Sequence, residues 1–364
     1  MSPSEIIRLR LLNQQIIHCR ARSLGEVVGA LGAMQAQDYG ASLWAMALRV
    51  PGTTEAGVEA AIAAREIVRS WPMRGTLHFM AAADVRWMLE LLTPRIIEGT
   101  ARRRAELGLD EAILKKSRKV IQKALKGGGQ ITRPDLLELL EREGISTSGG
   151  RNYHIPFYLS MQRLICFGPR EGKQQTFVLF DEWLPEARSL SRDEALAEVA
   201  RRYFTGHGPA TLKDFMWWTG LKSSEARQGL EAAKSQLVSE TVDGTTYWLS
   251  AAFPSVEGLG PEAHLLPGFD EYLLGYTDRS AVLDAKHAEK IIPGGNGVFM
   301  PMLVVEGRIA GTWKRTVKKK AVAVSVLPFI KLKKSTKLEI EKAADFYGKF
   351  LGLPAELQIM PPAP

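Results

Sequence analysis

The chain is 364 residues long, enough for two or three domains, and its 45% hydrophobic and 24% charged composition excludes a disordered, collagen-like or disulfide-built protein. A formal net charge of +8 and a pI near 9.4 point to a polyanionic partner. Cys19 and Cys166 lack CxxC spacing and the six histidines form no pair at metal-ligand spacing, so neither a metal nor a cofactor is expected.

The opening MSPSEIIRLRLL carries Glu5 and basic residues inside its apolar stretch, unlike a signal peptide, and no apolar run approaches ~18 residues. A cytoplasmic protein with no membrane partner is expected. SLGEVVGALGAM then predicts an apolar helix running to about Met34, followed by Gln35-Ala36-Gln37, by Tyr39 and Gly40, and by a second apolar helix, ASLWAMALRV. TEAGVEAAIAARE predicts a third helix, and IVRSWPMRGTLHFM a hairpin turning near Arg74-Gly75. At that wing tip Arg74 is the better candidate for DNA, since a guanidinium serves both phosphates and narrow grooves. His78, on a wing strand, either reaches DNA or hydrogen-bonds within the hairpin.

Arg102-Arg103-Arg104 follow, then Lys115, Lys116, Arg118, Lys119 and Lys123, which form either a phosphate-facing stripe or a solvated helix face. Residues 1 to 130 hold nineteen bases and twelve acids. KGGGQ (126–130) reads as a linker. TRPDLLELLEREG carries a Thr132 cap, a first-turn proline and a stop at Gly144. HIPFYLSMQRLI and CFGPREGKQQTFVLF continue as helix and wing. TLKDFMWWTG, opened by Thr211 with Asp214 in its first turn and ended by Gly220, is followed by the helix SSEARQGLEAAKSQL. VSETVDGTTYWL is then a hairpin with a tight-turn signal at Asp243-Gly244. Of the adjacent Trp217 and Trp218, only one easily faces the core.

A Pro- and Gly-containing stretch, 251–264, marks a boundary. Beyond it HLLPGFDEYLLGY, GVFMPMLVVEGRIAGTWKRTV and AVAVSVLPFI predict antiparallel strands with a turn at Glu306-Gly307, closed by the helix STKLEIEKAADFYGKFLGL. Asp270, Glu271, Asp278 and Arg279 form either an acidic site or a strand edge with an internal ion pair. From Val304 to Lys342 there are eleven Lys or Arg against three acids. Lys314, Arg315, Lys318, Lys319 and Lys320 are the phosphate-contact candidates there, solvated rather than catalytic, because a Schiff-base lysine needs a desolvated pocket.

The reading is an α+β fold of three tandem winged-helix units plus a small C-terminal β-barrel or curled sheet. The units span 1–126, 127–190, 191–255 and 256–364.

Chemistry enters at Gln35 and Gln37. A carboxamide neither titrates nor attacks, but its oxygen accepts and its nitrogen donates, so two of them can fix one neutral water. Hydrolysis of an N-glycosidic bond passes through an oxocarbenium-like sugar, and the water that traps it needs orientation more than deprotonation. Taken alone, the tripeptide reads equally as polar residues at a helix C-terminus. Gln35-Ala36-Gln37, MRGTLHF (Met73 to Phe79), LLPGFDEYLLGYTDR (Leu265 to Arg279) and GRIAGTW (Gly307 to Trp313), in this order, together resemble the AlkZ-type family of DNA glycosylases. The resemblance spans nearly the whole chain.

It implies three tandem winged helices and a small C-terminal β-barrel, C-shaped around a basic channel. It also implies excision of bulky or cationic alkylated purines, unhooking of interstrand crosslinks, and a catalytic Gln-apolar-Gln motif at Gln35, Ala36 and Gln37. A related branch has aspartate at the second position; here that residue is Gln37, and Asp38 follows. The expected protein is therefore a monofunctional base-excision glycosylase, a monomer acting on double-stranded DNA with alkylated purines, nucleoid-associated in the cytoplasm. The rivals are a winged-helix transcriptional regulator and a structural adaptor. A regulator is commonly a symmetric dimer reading two half-sites, whereas here three units lie in tandem without a heptad segment.

Overall fold

The computed structural model describes residues 1–252, 262–295 and 297–362. Local chemistry sets many of the boundaries. Ser2 opens the helix Pro3–Asn13 in a reciprocal cap with Glu5. The helices Leu24–Leu31, Tyr39–Ala47 and Glu55–Ala63 start at Ser23, Asp38 and Thr54, whose side chains each accept a backbone N–H from the first turn. The hairpin Ile67–Met73 with Thr76–Ala81 follows.

The first helix stops short of Met34. Gly32, at φ 81°, takes the chain out of the helix at no Cβ cost. Met34–Gln35 then joins the hairpin as a third strand, with Met34 opposite Phe79 and Gln35 opposite His78. Burial of Met34 and Ala36 holds this segment inside the core.

Helix, helix, helix and hairpin recur twice more. Glu111–Leu125, Arg133–Arg142 and Arg151–Met161 precede the strands Ile165–Phe167 and Thr176–Leu179, and Gln130–Thr132 adds a strand to that sheet. Thr132 caps its helix through Asp135 N, and Gly144 follows the helix at φ 71°. Arg192–His207, Leu212–Thr219 and Ser223–Ala233 precede the hairpin Leu237–Val242 with Thr245–Ser250. Thr211 and Asp214 cap each other at the second of these helices, and Gly220 ends it in the left-handed region. The hairpins turn at Arg74-Gly75 and Asp243-Gly244, and the C-terminal region turns at Glu306-Gly307. Each pair has positive φ at both residues, as a two-residue turn matching strand twist demands.

Of the boundary stretch 251–264, residues 253–261 lie outside the described residues. The C-terminal region is a five-stranded sheet in the order Ala355–Ile359, Val322–Pro328, Arg308–Val317, Met302–Val305, Ala263–Leu266. Its last strand in the chain pairs parallel with Val322–Pro328 and its other neighbours are antiparallel. Among the described residues the two edge strands do not pair, so the sheet is open, as in the curled-sheet reading, and not the closed barrel.

The helix Lys334–Leu351 covers this sheet and presents Phe346, Tyr347 and Phe350 to Trp44 of the first region, with ring centroids 5.0–5.2 Å apart. Trp44 Nε1 donates to Leu265 O and Trp313 Nε1 to Leu266 O, both at 2.7 Å. The C-terminal sheet is thereby fastened to the region carrying the glutamine motif. Among the described residues no helix is long and apolar enough to cross a membrane, and no group of side chains is arranged to hold a metal.

Candidate active site

Gln35 ends the strand Met34–Gln35 and Gln37 lies at the bend two residues on, where the neighbouring hairpin strand touches both side chains. The wing strand orients both carboxamides. Thr76 Oγ1 shares its hydrogen between Met73 O at 3.3 Å and Gln35 Oε1 at 3.4 Å, and Leu77 N donates to Gln37 Oε1 at 3.3 Å. Gln35 is 7% exposed while Gln37 is open to solvent, so the pair runs from the protein interior to its surface. Each oxygen keeps a second lone pair, and each amide has two N–H donors for a bound molecule.

Between them, Ala36 is clamped from both sides. Its N–H donates to Leu77 O at 2.7 Å, and its carbonyl accepts from Arg69 Nε at 3.1 Å and Nη2 at 2.7 Å. Arg69 lies in the wholly buried strand Ile67–Met73 and its remaining nitrogen, Nη1, reaches Gln175 Oε1 at 2.7 Å, so the second hairpin braces the first. Burial lowers the Arg69 pKa to about 10, which leaves it cationic at neutral pH. Its guanidinium and that of Arg170 both approach the Tyr39 ring. Tyr39 donates its hydroxyl to Glu59, which also pairs with Arg170. Asp38 is occupied as the N-cap of Tyr39–Ala47, accepting from Ala41 N at 3.0 Å.

Behind Gln35 stand the two acids of the FDEY segment. Neither sits on a strand edge, and their partners lie far away in sequence rather than at Arg279. Asp270 forms a bidentate pair with Arg49 at 2.8 and 2.9 Å, and both side chains are 0% exposed. Glu271 Oε1 accepts the Gln35 backbone N–H at 2.8 Å, while its Oε2 accepts from Trp218 Nε1 at 2.9 Å and His207 Nε2 at 3.3 Å. Burial pushes the Glu271 pKa upward, but the hydrogen bonds from His207 and Trp218 outweigh it and hold the carboxyl near 2. The charge is therefore retained inside the fold. Asp278 caps Ser280 N at 2.9 Å and Arg279 donates to Leu273 O at 3.0 Å, so these two are local turn residues.

The wing-tip candidates turn inward. His78 is 0% exposed, and its Nδ1 donates to Thr76 O at 3.0 Å. Burial, reinforced by Arg74, lowers its pKa to about 3, so the ring is neutral and its Nε2 is free to accept. Arg74 donates to Trp218 O and faces His78 Nε2 at 3.4 Å. Trp218 is fully buried; Trp217 is 44% exposed and donates to Leu274 O.

Other basic candidates divide by surroundings. Arg102 and Arg103 both pair with Glu106 on an exposed face, whereas Arg104 bonds Ile97 O and Thr100 Oγ1 and lies over Tyr158. Lys314, Lys318, Lys319 and Lys320 are exposed, and Lys318 reaches Glu356 at 2.6 Å. Arg315 is half-buried over Tyr347, with its guanidinium close against Gly40, where an added Cβ would sit only 2.9 Å from Nη2. Of the whole basic segment, this residue is placed beside the glutamine loop.

Sequence reasoning missed Arg49, Arg69 and Trp218 as supports. An arginine inside a strand as apolar as IVRSWPM was the available signal for Arg69. Nothing local announced Glu271 as the partner of a residue 236 positions away.

Residues 28–350 match the family described as DNA glycosylase AlkZ-like. The protein is thus an enzyme, a DNA glycosylase. More particularly, the chain belongs to the AlkZ-like DNA glycosylase family. It is similar to the interstrand DNA cross-link repair glycosylase of Streptomyces sahachiroi, 24% identical over 345 residues that cover 83% of this chain and 85% of that protein. The solved structure of Streptomyces sahachiroi DNA glycosylase AlkZ has the same fold, with a TM-score of 0.80 at 22% identity, covering 99% of this chain and 100% of that one.

Proposed function

We propose that this glycosylase hydrolyses the N-glycosidic bond of cationic or bulky N-alkylated purines in duplex DNA, including purines joined in interstrand crosslinks, with Gln35 and Gln37 holding the attacking water. The observation that carries this reading is the orientation of two neighbouring carboxamides by one wing strand, through Thr76 Oγ1 and Leu77 N. Donors and acceptors fixed before substrate arrives need no reorganisation in the transition state. The lesion supplies the rest. A cationic purine leaves without a general acid, and the oxocarbenium sugar then needs only a correctly placed neutral water. A bulky lesion also dispenses with full extrusion into a tight pocket. The relative's printed name, an interstrand cross-link repair glycosylase, supports the same substrate class.

In this reading each helix–helix–helix–hairpin segment is a winged helix, and the second begins at Glu111, whose helix packs with Arg133–Arg142 and Arg151–Met161. The exposed bases Lys314, Lys319 and Lys320, with Lys318 and Arg315, line a channel for the DNA backbone. Arg102 and Arg103 extend it. Arg74, His78 and Arg104 are assigned to holding the protein rather than the DNA. The enzyme acts as a monomer.

The test is incubation of the purified protein with duplexes carrying 7-methylguanine or a nitrogen-mustard crosslink, followed by alkali. Abasic sites and unhooked strands are expected. Intact lesions at high enzyme concentration would remove the proposal.

A further inference from the structure

Six hydrogen-bonding contacts close a ring through Gln35. Its N–H donates to Glu271 Oε1 at 2.8 Å, and Trp218 Nε1 donates to the other carboxylate oxygen at 2.9 Å. The Trp218 carbonyl accepts from Arg74, whose second nitrogen faces His78 Nε2 at 3.4 Å. His78 Nδ1 donates to Thr76 O at 3.0 Å, and Thr76 Oγ1, its hydrogen shared between Met73 O at 3.3 Å and Gln35 Oε1 at 3.4 Å, returns to Gln35. Four of the residues belong to the first region, one to the third helical region and one to the C-terminal region. Glu271, Trp218 and His78 are 0–1% exposed, so the ring is closed to bulk water along most of its length.

The direction of the bonds matters. Every polar hydrogen named runs toward an acceptor, and the carboxylate is the only anion, so its charge fixes the sense of the donors around it. With Nδ1 donating, neutral His78 has only Nε2 left, and this must accept from Arg74. A shifted strand would leave the buried Gln35 N–H, which donates to Glu271 Oε1, without its acceptor.

We infer that Glu271, with Thr76 against the side-chain oxygen, is a positioning residue that fixes the Gln35 backbone and so the place from which its carboxamide projects. This rests on the reading that Gln35 holds the attacking water. Glu271 touches neither substrate nor water; it acts through the Gln35 backbone, while Thr76 acts on the side-chain oxygen itself.

The experiment uses full-length protein with Glu271→Gln and Thr76→Val, compared with Gln35→Ala, on a 7-methylguanine duplex. It measures single-turnover base release, lesion-duplex Kd and thermal melting in parallel. Glu271→Gln keeps the size and one acceptor oxygen but turns an amide toward the Trp218 and His207 donors. Its release rate per folded molecule should fall roughly tenfold to a hundredfold with Kd unchanged, as expected when a reacting group is misplaced by less than an ångström or so. Thr76→Val, nearly isosteric and half-buried, should fold normally and lose about two- to tenfold in rate, the equivalent of one ordinary hydrogen bond.

A merely structural role would lower melting and leave the rate per folded molecule at the wild-type value, which overturns the inference. If Glu271→Gln does not fold, Thr76→Val decides, and a wild-type rate there is equally fatal. If Gln35→Ala itself releases base at the wild-type rate, the water-holding proposal fails and the inference falls with it. An inactive Gln35→Ala beside fully active Glu271→Gln and Thr76→Val sinks the ring alone.

Discussion

Arg49, Arg69 and Arg74 count toward the net charge on the same terms as Lys314, Lys319 and Lys320, yet the two sets do opposite work. The arginines are turned inside, where Arg49 neutralises Asp270, Arg69 grips the Ala36 carbonyl and Arg74 bridges Trp218 to His78. The lysines stand on an exposed strand end and turn. A planar guanidinium can satisfy several carbonyls at once and is weakly hydrated, which suits it to the interior; a strongly hydrated ammonium suits a surface that meets phosphates. On the proposed function, basic residues near the site are divided between building it and bringing DNA to it, and burial distinguishes them where charge counting does not.

The sharpest way to break that comparison is at the buried pair. Asp270→Asn leaves the Arg49 guanidinium buried beside a neutral amide, and urea denaturation should show a loss of about 3–5 kcal/mol. A loss comparable to that of an exposed pair, under about 1 kcal/mol, would mean the site has no rigid interior.

Acid should weaken the same interior. The His78 ring takes a proton near pH 6.5 when unfolded but only near 3 when folded, so in between the unfolded chain binds more protons and stability falls as pH falls. Glu271 adds to this between its ordinary 4.5 and about 2, because the folded carboxyl stays ionised where the unfolded one is protonated. The slope from each group is at most about 1.4 kcal/mol per pH unit. His78→Asn should flatten the upper part of the curve, and an unchanged curve would place the acid sensitivity elsewhere.

Arg69→Met addresses the site side of the division. Removing two donors from the Ala36 carbonyl should lower base release by roughly ten- to a hundredfold with duplex Kd unchanged. A weakened Kd instead would put Arg69 among the DNA-binding residues. Smallest is the effect of single lysines. Lys319→Ala and Lys320→Ala should each reduce the slope of log K against log salt by about 0.9 if each contacts one phosphate. Lys318→Ala should change it less, since its partner Glu356 already offsets part of the charge.

Much of the frame was legible because it depends on neighbours in sequence. The Arg74-Gly75, Asp243-Gly244 and Glu306-Gly307 turns, the Thr132 and Thr211 caps and the Gly220 stop each need only two to four residues to specify them. The motif's setting did not have that property. Ala33-Met34 is apolar enough to continue a helix, and only the pairing of Met34 and Gln35 with Phe79 and His78, more than 40 residues on, makes Met34–Gln35 a strand. Asp270 and Glu271 looked like neighbours sharing one site, but one faces Arg49 and the other Gln35, a separation that appears only once three regions are packed. The final strand Ala355–Ile359 and the open sheet edge were likewise products of tertiary pairing.

The division between building the site and gathering DNA is tested most directly by measuring saturated single-turnover base release and duplex Kd on the same samples of Gln37→Ala and of the triple Lys318, Lys319 and Lys320→Ala variant. Gln37→Ala should lose at least about a hundredfold in release with nearly unchanged Kd, because a water-orienting group acts in the transition state. The lysine variant should bind more weakly yet, once saturated, release base at the wild-type rate. A Gln37→Ala enzyme that releases base normally, or one that fails only through weakened binding, would contradict the account.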